Sequence, residues 1–155
     1  MKERYFINVK KRRNEYKYTT HLKGKVMKST QDKINQAIQK IIHQGKSNVK
    51  FIILYGSHAS KKEHASSDID LCVYYDAEKT KRFMFRMQLL GRLSDEFDIT
   101  LFQDLPLYVK KEVLKGKVMY ESDTMFLYDI DRRTYREYED FKHRFYDYIK
   151  GGIIS

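Results

Sequence analysis

The chain has 155 residues, of which 41% are hydrophobic and 34% are charged, and its formal net charge is +10. One domain with a hydrophobic core fits these values, and no stretch approaches the roughly 18 consecutive apolar residues of a transmembrane helix. The N-terminus lacks an apolar signal core, and Cys72 is the one cysteine. We therefore expect a cytoplasmic protein with no membrane contact and no internal disulfide.

The positive charge is concentrated at the N-terminus. Residues 1–28 contain ten Lys or Arg and two acidic residues, whereas the rest of the chain has 21 basic and 19 acidic residues, a net charge of +2. We therefore divide the chain into a basic N-terminal extension, 1–28, and one domain, 29–155. For the extension we weigh two interpretations, contact with nucleic acid or an acidic partner, and a solvated tail.

An amphipathic helix opens the predicted domain. Ser29 or Thr30 can cap it, Asp32 lies in its first turn, and it ends near Gly45. Its apolar residues recur at helical spacing: Ile34, Ile38, Ile41 and Ile42. We interpret this helix as a scaffold element that packs on a sheet.

Two apolar runs then predict buried strands at residues 49–55 and 69–75. The polar segment between them is predicted to begin with a short helix over 57–62. A second scaffold helix is expected over 77–93 and a third strand over 96–102. The apolar side chains of the second helix are interpreted as core residues: Phe83, Met84, Met87, Leu90 and Leu93.

Two further helices are predicted in the C-terminal part. Pro106 suits the first turn of a helix that runs to about residue 115, and a short fourth strand follows Gly116. Residues 123–150 predict one long helix that ends at Gly151-Gly152, with a break near 129–131 as an alternative. An aromatic stripe along this helix has two interpretations, packing against the core or a groove for a partner. The stripe consists of Tyr135, Tyr138, Phe141, Phe145 and Tyr148.

The strongest functional signal is the pair Asp68 and Asp70 beside an apolar strand. Side chains two positions apart on a strand point to the same face, so two carboxylates lie side by side at the edge of the sheet. Their repulsion and desolvation are costly unless a cation lies between them. Carboxylate oxygens suit Mg²⁺, so the pair indicates a divalent metal site.

Two further features agree with this interpretation. Gly56 follows the first strand and lets the backbone approach an anion, while Ser57 adds a hydroxyl donor at the start of the predicted short helix. Asp98, on the third strand, can complete a metal shell or take a proton from an attacking hydroxyl. Two Mg²⁺ ions that stabilise the attacking and leaving oxygens are typical of in-line nucleotidyl transfer.

In order and spacing, these motifs resemble the DNA polymerase β-like nucleotidyltransferase superfamily. Its pattern is a Gly-Ser turn, about ten residues, an Asp-hydrophobic-Asp on a strand and a third Asp on a later strand. GSHA, SDIDLCV and FDITLF follow it, with Asp68 eleven positions after Ser57. The size and the tail EYEDFKHRFYDYIK resemble the minimal nucleotidyltransferase branch, whose members are often antitoxins of HEPN-domain toxins. The resemblance spans about residues 30–150.

The resemblance implies an α+β fold, in which helices pack on a small mixed sheet and a long helix ends the chain. It also implies roles for individual residues. Gly56 and Ser57 would hold the triphosphate of ATP, Asp68 and Asp70 would bind two Mg²⁺ ions, and Asp98 would bind one of them and assist deprotonation. Family members commonly carry Arg-Gly where this chain has Ser60-Lys61. Lys61 or Lys62 would then replace the missing phosphate contact.

The function implied is transfer of AMP from ATP to a tyrosine of a HEPN-type toxin by an antitoxin. A second interpretation is a binding module that neutralises its partner by contact, with the long C-terminal helix as the docking surface. A third is nucleotidyl transfer to RNA, with residues 1–28 holding the strand, or to a small molecule.

Overall fold

A computed structural model describes residues 29–56 and 68–153. Helix α1 (Thr30–Gly45) leads through a 3-10 turn into strand β1 (Val49–Tyr55), and β2 (Ile69–Tyr75) follows. Then come α2 (Lys79–Leu90), β3 (Phe97–Leu101), α3 (Leu107–Leu114), β4 (Lys117–Glu121) and α4 (Thr124–Ile153). The α+β class and all four strands are as predicted. The extension 1–28 and the predicted short helix over 57–62 lie outside the described residues.

Helix α1 begins where the sequence indicates. Ser29 and Asp32 form a reciprocal capping box, in which each side chain accepts a hydrogen bond from the other residue's backbone N–H. Two of the N–H groups that a helix start leaves unpaired are thereby satisfied. The apolar side of α1 is buried against the sheet through Ile34, Ile38 and Ile41.

The four strands form one mixed sheet in the order β3-β2-β1-β4. Strand β1 pairs antiparallel with β2 and β4, whereas β2 and β3 are parallel. A parallel pair needs a crossover connection, and α2 supplies it. The sheet therefore brings together residues that are far apart in the chain.

Each face of the sheet is covered by two helices. Alternate strand residues such as Ile52 and Leu71 pack with α1 and α2, while Phe51, Ile53 and Cys72 lie on the other face with residues of α3 and α4. This alternation follows from the two-residue period of a strand. It also fixes the face of Asp70 and Asp98, because their side chains alternate with Leu71 and Ile99 and so share the α3/α4 side.

The core face of α2 differs from the prediction. Phe83, Met84 and Met87 are 59%, 52% and 48% exposed, whereas Phe85 and Leu89 are buried. Residues 85 and 89 are four apart and so lie on one helix face, which turns the other three side chains away from the sheet. Leu90 and Leu93, which were also predicted as core residues, are partly buried against the core. The amphipathic pattern thus identified the helix and the packing of its C-terminal end, but not the buried side of its first turns.

Helix α4 confirms the single long helix that the sequence predicts, and it ends slightly later than expected. It runs without a break through residues 129–131, where Ile130 is buried against the core, and it continues through Gly151 to Ile153. Exposed aspartates do not interrupt helical hydrogen bonds, and glycine costs only about 1 kcal/mol in a helix relative to alanine. The predicted alternative break and the predicted helix end are both wrong.

The aromatic stripe of α4 does not pack against the domain core. Phe141, Phe145 and Tyr148 are 54%, 51% and 80% exposed. Tyr138 is partly buried, and the Lys111 ammonium of α3 lies 3.9 Å from its ring centroid. The core interpretation is therefore wrong for this part of α4.

Candidate active site

The sheet brings two of the three predicted carboxylates together. Asp70 and Asp98 are register partners on the parallel strands β2 and β3, although 28 positions separate them in the chain. Asp68 is exposed and lies directly before β2. The beginnings of the two strands are tied by a 2.7 Å hydrogen bond from the Ile69 N–H to the Glu96 carbonyl. The acidic residues therefore lie at one end of the sheet.

Gly56 lies directly against Asp70. Its φ is +72°, a left-handed conformation that favours glycine. A Cβ at this position would lie 2.2 Å from the Asp70 Oδ2 atom. The absence of a side chain at residue 56 is thus what lets this carboxylate lie against the end of β1. Ser57, Lys61 and Lys62, the other predicted nucleotide contacts, lie outside the described residues.

Asp98 has a basic neighbour that the sequence analysis missed. The Arg86 Nη2 atom of α2 lies 3.9 Å from Asp98 Oδ1, and Arg86 Nε donates a 2.6 Å hydrogen bond to the Ile99 carbonyl. Asp98 remains 51% exposed. The burial of Phe85 could have indicated this contact, because residue 86 follows it directly and so lies beside the sheet. The sequence analysis assigned other residues of α2 to the core and therefore did not place Arg86 near β3.

Tyr55 reaches across the middle of this site. Its hydroxyl lies 3.2 Å from Thr100 Oγ1 on β3, although β2 lies between their strands. Burial, with smaller contributions from Cys72, Asp70 and Asp98, raises the pKa of Tyr55 above its usual value. The phenol is therefore neutral at physiological pH. Burial raises the pKa of the Cys72 thiol on β2 to about 12, and Thr100 opposes this shift only in part.

The donor set fits a divalent cation, although the side chains do not converge on one point. Among residues 29–56 and 68–153, no three His, Cys, Asp or Glu side chains are grouped closely enough to hold a metal. Asp98 is instead turned toward Arg86. The oxygen chemistry suits Mg²⁺, and the space beside Gly56 accommodates the Asp70 carboxylate. Asp70 and Asp98, as register partners on β2 and β3, are the described carboxylates that could share such an ion.

A separate groove lies between α3 and the second half of α4. Its volume is about 480 Å³, and it is lined by Leu107, Glu137, Phe141, Arg144, Phe145 and Tyr148. We call it the α4 groove. None of these residues belongs to the strands that carry the acidic residues.

Within the described part of the chain, no helix has the length and apolar character needed to cross a membrane.

Two sequence comparisons identify relatives of this chain. The model of the family described as "Polymerase beta, Nucleotidyltransferase" matches residues 36–125. A Methanocaldococcus jannaschii protein with the provisional name protein adenylyltransferase MJ1547 is 36% identical over 81 residues. These residues are 52% of this chain and 62% of that protein. The chain thus spans less than two thirds of the relative it matches.

Solved structures with the same fold have low sequence identity. A toxin–antitoxin crystal structure with AMP-PNP has a TM-score of 0.60 and 17% identity, covering 76% of this chain and 97% of that chain. A tri-AMPylated Shewanella oneidensis HEPN toxin in complex with an MNT antitoxin gives a TM-score of 0.58 and 17% identity, with 79% and 98% covered. At this identity the likeness shows the fold alone.

Proposed function

The chain belongs to the polymerase beta nucleotidyltransferase family, and from this we propose that it is a Mg²⁺-dependent adenylyltransferase. Its proposed acceptor is a tyrosine hydroxyl of a HEPN-type toxin, for which it would serve as the antitoxin. The observation that carries this proposal is the pairing of Asp70 with Asp98 beside the left-handed Gly56. The provisional name of the archaeal relative and the toxin–antitoxin neighbours support the choice of acceptor.

The acidic residues divide the work in this proposal. Asp68 and Asp70 would hold both metal ions, and Asp98 would hold one. When bound, the metals would offset negative charge on the triphosphate and on the departing pyrophosphate. Gly56 would let the triphosphate approach the backbone, because no side chain blocks it there. Ser57, Lys61 and Lys62 are the proposed phosphate contacts from the adjoining segment.

Asp98 is the proposed proton acceptor. The tyrosine oxygen of the partner would form a bond to the α-phosphorus of ATP, the bond from that phosphorus to pyrophosphate would break, and the hydroxyl proton would pass to the Asp98 carboxylate. Pyrophosphate leaves with the electron pair of the broken bond. The half-exposed position of Asp98 supports access by a tyrosine on another protein.

Mass spectrometry after incubation with ATP, Mg²⁺ and the toxin tests this proposal. We expect the toxin to gain one or more AMP units, and the double variant Asp68→Asn with Asp70→Asn to abolish the gain while keeping its circular dichroism. Asp95→Asn with Asp129→Asn, a matched change at exposed acidic residues, should label normally. Undiminished labelling by the first variant, or AMP found on RNA rather than protein, would refute the proposal.

A second candidate function is neutralisation by contact alone. The exposed aromatic residues of the α4 groove favour it, because aromatic side chains are enriched in protein interfaces. Under this candidate, Phe141→Ala with Phe145→Ala should abolish complex formation with the toxin, measured by calorimetry. The Asp68 and Asp70 variant should still neutralise. Loss of neutralisation in that variant, with binding intact, would exclude contact as the mechanism.

A further inference from the structure

The side chain of Tyr55, on β1, crosses the neighbouring strand β2 and reaches β3. It ends β1, where its register partner on β2 is Asp70. Thr100 belongs to β3, and its register partner on β2 is Cys72. The hydrogen bond between the Tyr55 and Thr100 hydroxyls therefore carries the phenol ring over β2 in the interval between Asp70 and Cys72. The ring separates the acidic end of this face from its apolar part.

This hydrogen bond adds a side-chain tie between β1 and β3, which are not paired with each other. Among the strands of the described residues, β3 has five residues, lies at the edge of the sheet and pairs with β2 alone. Thr100 is two positions from Asp98, so both side chains lie on the same face and move with the same short piece of backbone. Tyr55 is likewise one residue from Gly56, which lies against Asp70. The tie therefore joins the two backbone segments that place the acidic pair.

We propose that Tyr55 is a positioning residue for the candidate active site, and that its hydroxyl acts through Thr100 to fix the separation of Asp70 and Asp98. This inference rests on the proposed function, since it assumes that the two carboxylates share a ligand. It adds a residue whose hydroxyl bonds to Thr100 rather than to either carboxylate. A purely structural tie would affect stability but not the affinity of the acidic pair for a cation.

Direct titration with Mg²⁺ and Mn²⁺ by calorimetry tests the proposal. Tyr55→Phe and Thr100→Val should each weaken metal affinity by up to about fivefold, because the free energy of one neutral hydrogen bond is the upper limit of this indirect effect. The double variant should be no weaker than either single one, because both remove the same bond. Thr100→Ser keeps the hydroxyl and should retain the wild-type affinity.

Tyr74→Phe is the matched control. Tyr74 lies on β2 and packs against aromatic rings on the same face of the sheet, with ring centroids 5.2 Å from Phe51 and 5.1 Å from Phe126. Removal of its hydroxyl should leave metal affinity unchanged. If Tyr55→Phe lowers the melting temperature yet binds metal like the wild type, the positioning role is wrong. Additive losses in the double variant would also overturn it.

A failure of the proposed function gives a different result. If the wild-type protein itself binds neither metal, the metal site is wrong, and amide hydrogen exchange then decides the positioning role. In the metal-free protein, Tyr55→Phe should speed exchange in residues 98–100 relative to both the wild type and Tyr74→Phe. Unchanged exchange in these residues would overturn the inference.

Discussion

Arg86, on helix α2, forms an ion pair with Asp98 on strand β3. One end of the guanidinium is fixed by the 2.6 Å hydrogen bond from Nε to the Ile99 carbonyl, and the other lies 3.9 Å from the Asp98 carboxylate. The backbone bond anchors the arginine, so its charge lies beside Asp98. A fixed cation at this place competes with any metal that uses the same carboxylate.

Replacement of Arg86 should therefore tighten metal binding. For Arg86→Gln we expect an increase in Mn²⁺ affinity of up to about fivefold, since half-exposed ion pairs contribute at most about 1 kcal/mol. Calorimetric titration measures it. Arg82→Gln is the control, because Arg82 is one turn away on α2 and pairs with Asp104 instead. Equal or weaker affinity in Arg86→Gln would show that the arginine does not compete.

Gly56→Ala should damage activity more than stability. The left-handed backbone at this residue costs an alanine roughly 1–2 kcal/mol, and the new Cβ would displace the Asp70 carboxylate. We expect adenylyl transfer to fall at least tenfold while the fold survives, as measured by AMP incorporation and thermal melting. Gly91→Ala is the control, since its φ is −75° and its nearest neighbour would be 3.7 Å away. An active Gly56→Ala protein would contradict the proposed role.

Stability should decline in alkaline solution partly because of Cys72. Burial raises the pKa of this thiol from 9.0 to about 12, so the folded protein holds the proton more tightly than the unfolded chain does. The resulting stabilisation is complete below about pH 9 and is lost as the pH rises toward 12. Urea unfolding across this range should show a falling free energy of unfolding. The fall should be shallower in Cys72→Ala, and an identical slope would contradict the assignment.

The two halves of α4 should differ in protection from hydrogen exchange. In the first half, Ile130 and Thr134 are 8% and 5% exposed, whereas residues 141–150 are all exposed. Helical segments with few buried side chains open more easily. Mass spectrometry of peptides should show faster amide exchange in 141–150 than in 126–134. Addition of the toxin should slow exchange in 141–150 if it binds the α4 groove, and uniform protection in the isolated protein would contradict this account.

The sequence predicted features that arise from local chemistry. The bounds of β1 and β2 follow from apolar runs that end in polar or glycine residues, and the start of α1 follows from the chemistry of Ser29 and Asp32. Asp70 and Asp98 were predicted to belong to one site from their chemistry and order and from the resemblance, and the sheet makes them register partners. Their roles, and those of Asp68, Ser57, Lys61 and Lys62, stay predictions.

Features that depend on long-range packing were missed. Which side of α2 faces the sheet is decided by contacts with α1 and β3, so Phe83 and Met84 were assigned to the core although they are exposed. The Arg86 contact depends on that same orientation. The bond between Tyr55 and Thr100 requires the strand order, because 45 residues separate the two in the chain. Local patterns contain none of this information.

The position of α4 also has a consequence for synthesis. The face of the sheet that carries Phe51 and Cys72 stays uncovered until α3 and Ile130 of α4 have left the ribosome, because chains emerge from the N-terminus. The first half of α4 thus covers the core, and its second half forms one side of the α4 groove. A chain whose core is still open lacks the rigid support for that groove, so a partner that binds there would select fully folded molecules.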